Sequence, residues 1–301
     1  MSTAGPRARY DRLRSGAHRG PGVRGMSPGK APSGGRPPGL ALYAEWTKLR
    51  TLPGMLWLLG AAAVLTVAVS TAAAAAYTCR AGASCSAAAA GADPAKIGLT
   101  GLYLGQVLVA VLAVLVVGGE YGTGMIRVTF SAMPRRLVVL LAKALVAGGL
   151  TLAAAVVAVL GSVLSGRLLL PGRGLSPANG YAVLSLANGT DLRATCGSVL
   201  YLALIALLAV GVTAAVRDSG VAIGLVLGVL FLFPILTSVI PDHTLARHLE
   251  QASPMIAGMY IEATTGVKSL PLTPWQGLGV LGLWALGSLL LGGLVIRLRD
   301  A

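Results

Sequence analysis

Six runs of this 301-residue chain, 55–76, 99–119, 137–164, 194–216, 219–240 and 275–296, are apolar over the length needed to cross a bilayer. A helix rising 1.5 Å per residue needs roughly 20 such residues to traverse about 30 Å of hydrocarbon. The runs are too long for barrel strands and lack their alternating polarity, so each must close its backbone hydrogen bonds as a helix. The expected fold is therefore all-α, a polytopic membrane protein built as a six-transmembrane-helix bundle. Composition agrees: only 11% of residues are charged and the mean hydropathy is +0.78, where a soluble domain would carry about a quarter charged residues.

Orientation follows from lysine and arginine near the span ends. One side carries Arg36, Lys48, Arg50, Arg127, Arg135, Arg136, Arg217, Arg297 and Arg299, crowded into about 44 positions. The other carries Arg80, Lys96, Arg167, Arg173, Arg193, Arg247 and Lys268, spread over about 85. The denser side is expected to face the cytosol, with both termini there and the protein in the plasma membrane. The net charge of +14 is concentrated at these span ends and in the amino-terminal tail. Anionic lipid is its expected partner, and nucleic acid is not, since no nucleic-acid-binding pattern accompanies the charge.

Residues 1–39 hold nine glycines, six prolines and eight basic residues with one acid, and show no apolar periodicity. This reads as a disordered tail, with Met26 as an alternative start, preceding a transmembrane domain over 40–301. At the head of that domain Leu42, Trp46 and Leu49 fall at helical spacing, with Glu45 and Lys48 on the other side. The pattern predicts a short amphipathic helix in the membrane interface, a plain linker being the alternative.

Between the second and third spans the chain reads GGEYGTGMIRVTFSAMPRR, Gly118 to Arg136. Ile126, Phe130 and Met133 are helically spaced, with Arg127 and Ser131 opposite. The segment is either a small apolar face offered to a partner groove or an ordinary loop whose arginines set topology. Glu120, at the end of the second span, is expected to pair with Arg127 or Arg135, because an unpaired carboxylate there is costly when buried. Lys143, about two turns into the third span, is expected to snorkel to the interface, joining the Glu120 cluster being the alternative.

On the opposite side, Cys79 and Cys85 either close a small disulfide loop or remain thiols; spacing alone does not decide. Residues 241–274 contain helically spaced Leu245, Leu249 and Ala252 and are expected to lie on the outer leaflet as one or two short helices. His243, His248 and Glu250 lack the H-E-x-x-H spacing and read as surface residues rather than metal ligands. Gly282, Gly287, Gly292 and Gly293 in the last span are expected to permit close helix approach.

No G-x-x-x-x-G-K-[ST] loop occurs, so the chain is expected to bind no nucleotide itself and not to be an enzyme. The span centres hold no Asp or Glu, which disfavours a proton-coupled carrier. Three segments then carry a resemblance. EWTKLRT, Glu45 to Thr51, looks like the interfacial entry helix of ABC-2-type permeases, the membrane subunits of ABC transporters. EYGTGMIRVTFSAMPRR, followed by Lys143, is similar to the first intracellular coupling segment of that family, in its small six-span form. The ending LTPWQGLGVLGLWALG with its short basic tail resembles the family's last span. The resemblance implies a homodimer, or a heterodimer with a related permease, docked on two cytosolic ATPase subunits that supply ATP and magnesium. It also implies export, contacts to the ATPase from Ile126, Arg127 and Phe130, a coupling ion pair at Glu120, and an interfacial helix carrying Trp46 and Lys48. A non-transporting scaffold or sensor subunit and an ion-coupled secondary carrier are the alternatives.

Overall fold

The computed structural model describes residues 53–77, 92–122 and 136–299, together with Tyr43 and Thr47. Six long apolar helices dominate: α1 (Pro53–Ala76), α3 (Leu102–Gly122), α4 (Arg136–Leu169), α5 (Gly189–Val216), α6 (Ser219–Val239) and α9 (Pro274–Arg299). Each is long and apolar enough to span a membrane. Three short α-helices, α2 (Pro94–Gly98), α7 (His243–Ala252) and α8 (Pro254–Met259), and four three-residue 3-10 turns complete the described set. The end of the bundle where α1 begins and α9 stops is termed the base, and the opposite end the crown. The chain is an all-α, multi-pass membrane protein.

The six expected spans correspond to the six long helices, with boundaries displaced at the crown. α4 continues to Leu169 and α5 begins at Gly189, each five residues beyond the apolar run. These extra turns carry Arg167, Asp191 and Arg193, polar residues that a hydropathy criterion truncates although the helix continues.

α5 is the central column, packed on α9, α4, α3 and α6. Its buried residues include Tyr201, Leu202, Ile205, Leu208, Ala209 and Val210. Lipid offers no hydrophobic drive for helix association, so close van der Waals packing has to supply it. Gly211 shows how: a Cβ there would sit 2.5 Å from the Leu289 nitrogen on α9, and one on Gly292 would sit 2.7 Å from the Gly211 carbonyl oxygen. The α5–α9 crossing is thus a direct backbone approach. Gly282 and Gly287, expected to serve the same purpose, have nothing within 4 Å of a would-be Cβ. They lie off the packed face of α9.

α5 and α6 are joined at the base by two residues. Arg217 adopts a left-handed conformation, φ 65°, and its amide donates to the Thr213 carbonyl at 2.8 Å, closing α5. The Asp218 carboxylate then accepts from the Val221 amide at 2.8 Å, capping α6.

The segment following α6 departs from expectation. α7 is a surface helix with no buried residue, capped by Asp242. After Ser253, which caps α8 at the Ile256 amide, the chain turns inward. Pro254, Met255, Ala257, Gly258, Met259, Ile261, Glu262 and Ala263 are all buried, and α8 packs between α9 and α6. This part of the segment is buried in protein and not laid on the surface of the bundle as expected. A Cβ on Gly277 of α9 would stand 2.0 Å from the Ala257 carbonyl oxygen, so the inward segment is seated against backbone there too.

Candidate functional site

Among the described residues the buried charged side chains fall at the two ends of the bundle, Glu120 and Lys143 at the base and Asp93, Asp191 and Glu262 at the crown. At the base, the Lys143 Nζ stands 2.5 Å from the Glu120 Oε1, and both side chains are buried. The pair bridges α3 and α4 next to the segment that joins them. Lys143 therefore does not snorkel. Its Cα lies about 9 Å inside the first residue of the span, and its ammonium is turned to the carboxylate on α3. Glu120 has a described cation partner in Lys143, while the expected partners Arg127 and Arg135 lie outside the described residues. A second link crosses the base: the Arg217 guanidinium donates to the Val295 carbonyl on α9 at 3.4 Å.

Ile126, Arg127 and Phe130 lie outside the described residues, as do Trp46, Lys48, Cys79 and Cys85. Near Trp46, the Thr47 hydroxyl donates to the Tyr43 carbonyl one turn earlier, at 2.8 Å. Cys196, on the first crown-side turns of α5, is an exposed free thiol.

The crown cluster was not anticipated from sequence. Asp93 caps α2, accepting from the Ala95 amide at 3.0 Å and the Lys96 amide at 3.4 Å. The same carboxylate accepts from the Thr264 amide and hydroxyl, both at 2.6 Å, and from the Thr265 amide at 3.0 Å. It therefore staples two loops 171 residues apart in sequence. Arg193 of α5 donates to the Ala263 carbonyl beside this staple. Deeper in, the Tyr201 hydroxyl donates to the Gln106 Oε1, and the Gln106 amide nitrogen lies 3.5 Å from the Met255 sulfur. α3, α5 and α8 are joined by this fully buried polar chain.

Glu262 closes the inward segment. It is 3% exposed, and its Oε1 is buried without a hydrogen-bond partner. Burial pushes its carboxyl up to about 8, nearby Asp93 adding to the rise and Lys96 opposing it. Beside it, the Tyr260 hydroxyl donates to the Glu250 Oε2 at 3.3 Å; burial foremost, and then the Glu250 charge and hydrogen bond, push that phenol up. Lys96, Tyr103, Pro234, Met255, Ile256, Met259, Tyr260 and Glu262 enclose a cavity of about 240 Å³. A single sequence signal pointed here: the apolar run PMIAGMYI, too short to span, ending in an acid.

The chain matches no model of a known protein family, and no curated protein matches it. What is established is a polytopic membrane protein, consistent in general form with a membrane transport or permease role.

Proposed function

We propose that this chain is the membrane permease subunit of an ATP-driven transporter of the ABC-2 type, working as an exporter with separate cytosolic ATPase subunits. The observation that supports it is the buried Glu120–Lys143 pair at the root of segment 123–135. A partner acting on that segment must move the helices to which it is fastened. ATP-driven switching needs a differential contact free energy of roughly 5.5 kcal/mol to take a two-state equilibrium from 1:99 to 99:1. A loop rooted in a buried ion pair transmits such a bias where a free loop dissipates it. In this reading Ile126, Arg127 and Phe130 meet the ATPase, Trp46 and Lys48 belong to the interfacial entry helix, and ATP with magnesium binds the partner alone. Two permeases, identical or related, form the membrane unit.

The test is purification of tagged protein from its native membrane, followed by mass spectrometry of what accompanies it. A stoichiometric soluble ATPase with a phosphate-binding loop is expected, and Arg127→Glu is expected to abolish its stimulation while leaving insertion intact. Repeated purification of the chain without an ATPase would turn the assignment toward a scaffold or an ion-coupled carrier.

A further inference from the structure

The crown cavity is lined by an ammonium and a carboxyl that do not meet each other. Glu262 is buried on one wall with a carboxyl oxygen lacking any donor, and Lys96, exposed on α2, forms part of the same lining without an ion pair to it. Burying a carboxyl without a hydrogen-bond partner is costly, and native structures seldom tolerate it away from a site of use. The remaining lining is graded: two phenols, Tyr103 and Tyr260, then the apolar Met255, Met259, Ile256 and Pro234. Tyr103 is half exposed, and on α6 the neighbouring Leu232, Ile235 and Val239 are exposed, so the cavity adjoins the apolar outer surface of the bundle.

We propose that this cavity is a binding site for an amphipathic zwitterion, whose ammonium group donates to the Glu262 carboxylate while its anionic group meets Lys96. A lone cation is opposed by Lys96, and a lone anion by Asp93 while it leaves the Glu262 oxygen without a donor; a ligand carrying both charges satisfies each wall. The volume of about 240 Å³ accommodates a headgroup rather than a whole lipid, equivalent to about eight waters at roughly 30 Å³ each. Two sources share this chemistry: a phosphoethanolamine lipid headgroup entering past Tyr103 with its chains along α6, and a free soluble zwitterion. The site stands apart from the ATPase assignment, since it uses only residues at the crown.

Binding is linked to a proton. The groups facing Glu262 are Asp93 and Lys96 from α2 and its cap, Tyr103 from α3, Tyr201 from α5 and, in its own turn, Tyr260; burial first, with Asp93 adding and Lys96 opposing, holds the acid protonated at neutral pH. An arriving ammonium takes the proton's place, and the proton leaves to solvent. Affinity therefore rises with pH between 6 and 8.

The experiment uses the full chain in nanodiscs of equal phosphatidylethanolamine and phosphatidylglycerol, with native mass spectrometry of the lipid retained. A second arm titrates O-phosphoethanolamine into the protein in phosphatidylglycerol alone. Glu262→Gln keeps the shape of the protonated acid and so preserves the fold; Lys96→Ala alters an exposed residue. A lipid headgroup site gives about tenfold enrichment of phosphatidylethanolamine, reduced to near parity by either variant. A soluble-ligand site gives no enrichment but saturable O-phosphoethanolamine binding, lost in both variants. Absence of both signals, or enrichment and binding indifferent to both variants, overturns the proposal.

Discussion

Glu120 and Lys143 show what a buried ion pair does inside an apolar bundle. Neither charge has water to fall back on, so removing one leaves the other exposed to the low-dielectric interior. Lys143→Met is expected to destabilise the protein by about 3 kcal/mol, seen as a lowered melting temperature in detergent, whereas Glu120→Gln with Lys143→Met recovers most of the loss. If the double variant melts no higher than the single, the pair is not what holds α3 to α4. Sequence offered three cations for Glu120, at 127, 135 and 143, and spacing could not choose among them. Helix packing brings the side of α4 carrying Lys143 against the end of α3, which makes Lys143 a partner of Glu120; positions 127 and 135 lie outside the described residues.

Glu262 supports a second expectation at this scale. Its ordinary value is 4.5 and the folded value is about 8, so the folded state holds a proton that the unfolded chain releases between those limits. Stability from this group is complete below pH 4.5 and is lost as pH rises toward 8. The melting temperature of the wild type should therefore fall more steeply from pH 5 to pH 8 than that of Glu262→Gln, which has no proton to lose. Parallel curves would place the carboxyl in contact with solvent.

Elements are held in two different ways here. The long helices rely on shape, and the α5–α9 crossing has no room for a side chain at Gly211. Gly211→Leu is expected to force the crossing apart and sharply reduce the yield of monodisperse protein, while Gly287→Leu, on an open face of α9, is expected to be tolerated; equal yields would show the crossing to be adaptable. The inward segment instead relies on polar staples: Asp93 to Thr264 and Thr265, Arg193 to Ala263, and Tyr201 through Gln106 to Met255. The long helices were legible because twenty apolar residues in a row admit one structure in a membrane. The inward segment was not, because a short apolar run behind a surface helix has the same composition whether it floats on lipid or is drawn under it. What draws it under is a set of partners 70 to 172 residues away in sequence.

At the scale of the whole molecule, the base and the crown differ in a way that bears on orientation. The base presents Arg217 and Arg297 close to the span ends, joined in the sequence by the basic segment at 127–136 and by Lys48 and Arg50. Basic residues counted within short loops resist translocation, so the denser end is expected to be retained in the cytosol. The crown has basic residues as well, but its loops are long, and Arg193 is engaged locally with Ala263. The two ends can be distinguished directly in a variant lacking Cys79, Cys85 and Cys196 by adding one cysteine at a time. Lys268→Cys lies at the crown, and Leu298→Cys lies at the base, where Leu298 is 70% exposed. A membrane-impermeant maleimide added to intact cells is expected to label Lys268→Cys at once and Leu298→Cys only after permeabilisation. The reverse pattern would invert the molecule, placing segment 123–135 outside and removing it from the reach of any cytosolic ATPase. The crown cavity would survive that inversion unchanged, because its chemistry depends on α2, α3, α6, α8 and the turn at Glu262 and not on which compartment they face.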